Sequence, residues 1–458
     1  MSMIFNGLSG VVASQVVLDT VSQNLANALT PNYTRQGVVL TAKAAVNNSL
    51  SAGNGVAATS LVRYADSYKT QQMWRANSTL GQHEAAQTYL LQLEQVMGDS
   101  GSNLSVSLDN FFASLSAASV EPASTPLRQQ IIEQAKALGQ SVGNLAQIIS
   151  NQKAAVAQQR EVAVDQLNSY TTQIAALNAK IIQANGAGLN TSALEDQRDA
   201  QVDGLSKLVG LQTMTQPNGS INLSLRGGQP LVVGDRSSVM EVKADAQGFV
   251  LEVQFASEKF ALQSSDWQGT LGGLAALESD VLNPIDTAVR AMASTIADQV
   301  NAVLNQGFGT QGAQTSPNLF VLDSASSAQL LTVNPLITPD QLGLSDTPDE
   351  AGNSEQLQKL IALQQAPVSI AGLGNNILFS DVYTQLVGKL GTYSQQSVAS
   401  YDTSKTVRDQ SESNWKSTSA VNTDEEAVNL MQYQQMYQAN MKVISTANEL
   451  FDSLLALN

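Results

Sequence analysis

One run of apolar residues constrains the fold more than any other feature. Leu138, Val142, Leu145, Ile149, Val156, Leu167, Tyr170, Ile174, Leu177 and Ile181 hold one register of three- and four-residue steps, with Gln152 and Gln159 as polar interruptions. That spacing puts them on one face of an α-helix. The run opens at Ser124-Thr125-Pro126, a hydroxyl cap with proline in the first turn. It closes at Asn185-Gly186, a left-handed stop. Uninterrupted, this is roughly 90 Å of helix, a rod-like element far longer than a globular domain needs.

Both chain ends repeat the habit. Ile4, Leu8, Val11, Leu18, Leu25 and Leu29 recur in alternating steps of three and four, with Gln15 and Ser22 in the vacant slots, until Pro31 and Asn32 end the helix. Leu430, Tyr433, Tyr437, Met441, Ile444, Ala447, Phe451 and Leu454 form the matching stripe in a last helix starting at Thr423. Thr423 and Glu426 fit a capping box, and Asp424 and Glu425 put negative charge at the positive end of the helix dipole. A two-helix arm held by this one seam is marginal, because ordering it opposes much of what its burial contributes. Neighbouring copies are expected to supply the missing burial, as in a polymer. The expected subunit interface is Ile4, Leu8, Val11, Leu18, Leu25, Leu430, Tyr433, Tyr437, Met441, Ile444, Phe451 and Leu454.

Between the ends, a second helix is expected from Asp66 to Met97, closed by Gly98, and a short amphipathic one on Leu104, Leu108, Phe111, Phe112 and Leu115. The segment TAKAAVNNSLSAGNGVAA after the first helix reads as loose. After Leu208, alternation around Asn218-Gly219 and Gly227-Gly228, then VMEVKADAQGFVLEVQF, reads as hairpins. Helix returns over 273–306, with Pro284 kinking or interrupting it. Loops with short strands are expected over 307–376, and helix again over 378–415. The expected fold is mainly α with an inserted β domain: a long antiparallel helical bundle built from both chain ends, with coiled-coil-like terminal helices. Its divisions are 1–60 with 418–458 as a polymerisation domain, 61–207 with 272–308 and 376–417 as a helical rod, and 208–271 with 309–375 as a β-rich outer domain.

Charged residues make up only 14% of the 458 residues, and the net charge is −16. Solubility therefore rests on uncharged polar groups, and the acidity argues against nucleic acid and anionic membrane surfaces. The absence of cysteine excludes disulfides and thiolate chemistry. MSMIFNGLSG lacks the basic start of a cleaved signal, and no stretch reads as a membrane span. Glu195, Asp196, Asp199 and Asp203 cluster on a helix with Arg198 among them; the spacing is not that of a calcium loop, and a solvated face is the expectation. GFGTQG at 307–312 matches a dinucleotide pattern in letters but follows a helix instead of a strand, so it reads as a helix stop and turn. His83 is the sole histidine and is expected on an exposed helical face. No catalytic constellation or cofactor site emerges, and the chain is not expected to be an enzyme.

Four segments carry a family resemblance. They are GLSGVVASQVVLDTVSQNLANALTPNYTRQ with Asn24, Ala26, Asn27, Tyr33, Thr34, Arg35 and Gln36; FFASLSAASVEPASTPLRQQII with Phe111, Phe112, Pro122 and Arg128; LEDQRDAQVDGLSKLVG with Asp196, Arg198, Asp199 and Leu205; and SAVNTDEEAVNLMQYQQMYQAN with Val421, Asn422, Asp424, Glu425, Glu426, Leu430, Gln434, Tyr437 and Ala439. Together they resemble the hook-associated protein 1 family, axial proteins of the bacterial flagellum at the hook–filament junction. The terminal segments alone are shared with rod and hook proteins; the two internal ones narrow the resemblance. Asn32 and Ala420 fall where the family often has glycine. The resemblance implies export without signal cleavage through the flagellar type III apparatus, and an extracellular structural role in a ring of copies between hook protein and a second junction protein. It also implies an export chaperone holding the last helix, with Tyr437, Met441, Ile444 and Phe451 as the expected contact. Another axial protein, or a secreted adhesin using the β domain, is the alternative.

Overall fold

The structure, a computed structural model, describes residues 2–44, 53–98, 104–245, 248–262, 267–314 and 318–456. Residues 45–52 of the segment read as loose and 246–247 of the second hairpin lie outside them. The chain is mainly helical with antiparallel sheets inserted, as its periodicity implies. It divides into two compact units, one of residues 1–81, 164–269 and 403–458, the other of 82–163 and 270–402.

In the first unit, helix α1 (Ser2–Ala26) lies antiparallel along the last helix, α10 (Thr423–Leu455). The face of α1 that closes this contact is not the large apolar stripe. Gly7, Gly10, Ser14, Val17, Val21 and Asn24, also spaced by threes and fours, are buried. A Cβ at Gly10 would lie 2.4 Å from Asn440 Oδ1, and one at Gly7 2.8 Å from Ile444 Cγ1, so only glycine lets the helices approach this closely. Helix α1 ends at Ala26, three residues before the expected stop, because Asn27 begins a turn whose carbonyl accepts from Thr30 N at 2.9 Å. Asn32 then adopts φ 60°, a left-handed conformation that glycine also takes readily, whereas Ala420 has no positive φ and needs no glycine. Met3–Ala26 is long and apolar enough to cross a membrane by length and composition alone, contrary to the expectation of no such stretch; nearly half of it is buried inside the protein.

Strands β1 (Gln36–Ala42) and β2 (Val56–Arg63) pair across the segment expected to be loose and take in only its two ends, 41–42 and 56–58. Helix α2 (Ser67–Gly98) starts on Asp66, whose carboxylate accepts from Tyr68 N and Lys69 N. After a 15-residue helix α3 (Leu104–Ala118) comes α4 (Thr125–Gly186), the expected rod of 62 residues. Helix α5 (Ser192–Leu208) precedes two sheets: β3 to β6 (Leu211–Thr215, Ile221–Leu225, Pro230–Val233, Arg236–Ser237) and β7 to β9 (Val239–Asp245, Gly248–Phe255, Glu258–Ala261). Gly219 and Gly228 take positive φ at the expected turns.

Asparagine side chains dock these strands onto helices. Asn178 on α4 donates to Ile221 O (2.8 Å) and Gly234 O (2.7 Å) and accepts from Ile221 N (3.1 Å). Asn168 donates to Met240 O and accepts from Met240 N, both at 2.8 Å. An amide carries one donor and one acceptor face, so it imitates a neighbouring strand without burying a charge. This gives the uncharged polar composition a structural use.

In the second unit, α3 (Leu104–Ala118) carries Phe111 and Phe112, each 1% exposed, edge-on with centroids 5.5 Å apart. Phe111 meets Phe320 at 5.8 Å and Phe112 meets Phe379 at 6.0 Å, forming an aromatic hub. Arg128, fully buried, donates to the carbonyls of Pro122 (2.6 Å), Leu342 (2.7 Å) and Pro339 (3.2 Å), and burial lowers its pKa to about 10. The expected helix over 273–306 starts earlier, as α6 (Gly269–Ala276), passes through a π-helical turn (Leu277–Leu282) and continues as α7 (Asn283–Leu304). The wide turn accommodates Pro284, which lacks an N–H and crowds the preceding carbonyl. Asn301 on α7 pairs with Phe320 N and O as Asn168 does with Met240. GFGTQG is the helix stop and turn expected of it: Gly307 N donates to Leu304 O and Gly312 has φ 70°. Residues 307–376 hold strands β10 to β13 (Phe320–Leu322, Leu331–Val333, Pro367–Ile370, Gly374–Leu378) and also a short helix α8 (Glu355–Ala362) that alternation did not reveal. Helix α9 (Val382–Ser419) follows. His83 is half-buried, not exposed, and burial lowers its pKa.

Candidate assembly interface

Three sequence-distant segments converge in the first unit. Asn24, 1% exposed, donates to Gln36 O (2.9 Å) and accepts from Gln36 N (3.0 Å) and Tyr33 Oη (2.9 Å). This joins the end of α1 to the start of β1. Burial, then the charges of Asp196 and Glu426, push the Tyr33 phenol up to about 12, so it keeps its proton and remains a donor. Arg35 N donates to Ser419 O at 2.8 Å. The Arg35 guanidinium lies 4.6 Å over the Tyr64 ring and 2.7 Å from Glu425. The break between α9 and α10 is thereby tied to β1 and β2.

The cap of α10 differs from expectation. Asn422, in extended conformation, is the N-cap, and its side chain accepts from Asp424 N (3.0 Å) and Glu425 N (3.4 Å). Thr423 is already the first helical residue, so it cannot cap, and Glu426 is buried at 3% exposure instead of reaching back.

The acidic cluster on α5 is likewise not a solvated face. Arg63, at the end of β2, bonds Asp196 Oδ1 through Nε (2.8 Å) and Asp199 Oδ2 through Nη2 (2.8 Å), with Glu195 at 3.6 Å. Asp196 Oδ2 accepts from Thr34 N at 3.2 Å. Arg198 donates through Nη1 to Gly219 O at 2.7 Å and through Nη2 to Asp199 Oδ1 at 3.1 Å, so Asp199 lies between two guanidinium groups. Asp203 accepts from Asn77 at 2.6 Å. Burial pulls the Arg63 guanidinium down, but Asp199 and Asp196 outweigh it and hold it above its ordinary value. Burial pushes Asp196 up by more than Arg63 and Thr34 pull it down. Two carboxylates within 2.8 Å favour the charged guanidinium, whereas for Asp196 the loss of water outweighs the cation beside it.

The expected interface residues divide in two. Val11 is buried, and Ile4, Leu18, Leu25, Leu430, Tyr433, Tyr437 and Ile444 are half-buried. Leu8, Met441, Phe451 and Leu454 remain exposed, at 48%, 45%, 57% and 64%. Sequence reading missed Phe5 and Val12, exposed at 62% and 52%, and Met436, Val443 and Leu450, exposed and seven residues apart along α10. That seven-residue spacing was a readable signal. Arg63 lay outside every periodic run and carried none.

The two terminal helices close on each other through small residues and are tied by a polar node, yet they leave apolar side chains uncovered. Residues 416–457 match the C-terminal family of the flagellar basal body rod FlgEFG proteins, which places the chain among flagellar axial proteins. Residues 90–320, just over half of the chain, match the helical domain of the flagellar hook-associated protein FlgK, and the chain belongs to that family. It is 27% identical to flagellar hook-associated protein 1 of Salmonella typhimurium (strain LT2) over 99% of both chains. To the Bacillus subtilis (strain 168) protein of that name it is 24% identical, over 97% of this chain and 95% of the other. The solved flagellar hook junction protein FlgK of Burkholderia pseudomallei is 30% identical with a TM-score of 0.52, over 55% of this chain and 47% of that one. The chain is therefore a structural component of the extracellular bacterial flagellum, at the hook–filament junction, and not an enzyme.

Proposed function

We propose that the chain joins hook to filament by polymerising through α1 and α10, as a ring of copies held between the hook protein and a second junction protein. The observation that carries this reading is the uncovered apolar surface of the terminal pair, Leu8, Met441, Phe451 and Leu454 above all, which the chain itself leaves in water. The twelve interface residues act as two sets: the buried and half-buried ones flank the close contact of α1 with α10, and the exposed ones meet neighbours. Residues 1–60 with 418–458 form the polymerising part, 61–207 with 272–308 and 376–417 the helical body, and 208–271 with 309–375 the outward β-rich part. Before type III export, a chaperone covers Tyr437, Met441, Ile444 and Phe451. Tyr437 and Ile444 are on the face that α1 also covers, so chaperone and α1 exclude each other there. Partners are proteins throughout: the net charge of −16 disfavours nucleic acid, and no membrane insertion is involved.

A deletion strain is expected to build hooks and shed filament protein into the medium. Hydrogen exchange at residues 2–30 and 424–456 is expected to slow strongly when the free chain enters the flagellum. Equal protection in the free and assembled states would sink the reading.

A further inference from the structure

Helix α10 outruns α1. With Gly7 against Ile444 and Gly10 against Asn440, the antiparallel register brings the start of α1, Ser2, opposite about Glu449. Leu450, Phe451, Leu454 and Leu455 follow, exposed at 53%, 57%, 64% and 60%. They form an apolar plug that carries two acids, Glu449 and Asp452.

On another side of α1 lies a groove of about 680 Å³, lined by Phe5, Leu8, Val12 and Val16 of α1, by Lys43 just after β1 and by Val56 of β2. Among the described residues, none of α10 lines it and Lys43 is the one charged lining residue. At ~100° per residue, Phe5 and Val12 project from the side of α1 opposite Ser14, which faces inward. The plug of the same chain therefore cannot reach it without unpairing the helices.

We infer that residues 449–455 of one copy seat in the α1 groove of a second copy. The inference rests on the assembly reading and names the contact through which it proceeds. Apolar plug meets apolar groove, and the acids on the plug match Lys43. The negative C-terminal end of α10 approaches the positive N-terminal end of α1, which favours the same orientation. Plug and groove are different surfaces, so the contact is head-to-tail and propagates into a ring or tube instead of closing as a pair.

Cysteine pairing tests it, since the chain has no cysteine of its own. Cells carrying only a mixture of Val12→Cys and Leu454→Cys chains are oxidised, and their flagellar fraction is run without reductant. A mixed dimer is expected, absent when either variant is present alone. Filament-bearing cells whose flagella lack the mixed dimer, or give only dimers of one variant, overturn the inference and leave the junction role standing. Chain absent from the flagella of filament-bearing wild-type cells would instead overturn the assembly reading. Charge exchange keeps the inference open to refutation if a cysteine variant fails to fold. Lys43→Glu is expected to lower the chain recovered with flagella, and Glu449→Lys with Asp452→Lys in that same chain to restore it. No restoration overturns the pairing.

Discussion

Arg63 is the residue whose loss should be felt most in the first unit. Its guanidinium contacts Asp196 at 2.7 Å and Asp199 at 2.8 Å, and the three side chains are only 12%, 11% and 17% exposed. Arg63→Ala leaves Asp199 with Arg198 at 3.1 Å, but Asp196 keeps only the Thr34 amide. Breaking a buried pair on one side costs about 3–5 kcal/mol, because the remaining charge stays desolvated. Trp74, Trp267 and Trp415 are the chain's three tryptophans and all lie in the first unit, so their fluorescence reports that unit in urea. At an m value of roughly 3 kcal/mol/M, the midpoint should fall by about 1–1.7 M at pH 7. The pH dependence has a definite sign. Burial already raises the folded-state pKa of Asp196, and without Arg63 it rises further. A raised folded pKa gives stability that is present below the unfolded value and lost as pH climbs through the folded one. The deficit of Arg63→Ala should therefore be largest near neutrality and shrink toward pH 4, and adding Asp196→Asn should recover most of it at pH 7. A loss below about 1 kcal/mol, or a deficit that widens on acidification, would refute this account of the node.

Three further perturbations probe other contacts. Gly10→Leu forces a side chain into Asn440; it should cost about 1–3 kcal/mol and speed hydrogen exchange in both α1 and α10, while unchanged exchange would contradict the close packing. Asn178→Asp removes the donor to Ile221 O and Gly234 O and turns a carboxylate toward them; it should cost at least about 3 kcal/mol in the same fluorescence assay, against much less for a surface Asn→Asp change. Burial raises the Asp203 carboxyl despite Lys207 and Asn77, so its contribution fades as pH rises. Asp203→Asn keeps an acceptor for Asn77 and should be neutral or stabilising at pH 7, with a flatter stability–pH profile below neutrality; marked destabilisation would show that the charge itself is needed.

What could be read from the sequence follows the range of the interactions. Helix period is local, so α4, α9 and α10 were visible within a few residues of their ends. Contacts between distant segments leave no local trace: Arg63 and Asp196 are 133 residues apart, so the acids of α5 looked solvated until their cation was placed. Asn168, Asn178 and Asn301 bond backbone groups, which every residue carries, so sequence does not single them out. Helix α1 shows a subtler failure. Large residues recur at 4, 8, 11, 18 and 25, yet Gly7, Gly10, Ser14, Val17 and Val21 repeat with the same spacing beside them. Hydropathy ranks the first stripe higher, but helices approach most closely along the second, where a missing Cβ lets one backbone reach the other. Glycine twice in one helical face costs helix propensity, and only such an approach compensates for it. The size of the repeating residues thus separates two kinds of contact on one helix. The small stripe closes the chain upon itself, and the large one, left half in water at Leu8, is the surface that a second copy can still cover.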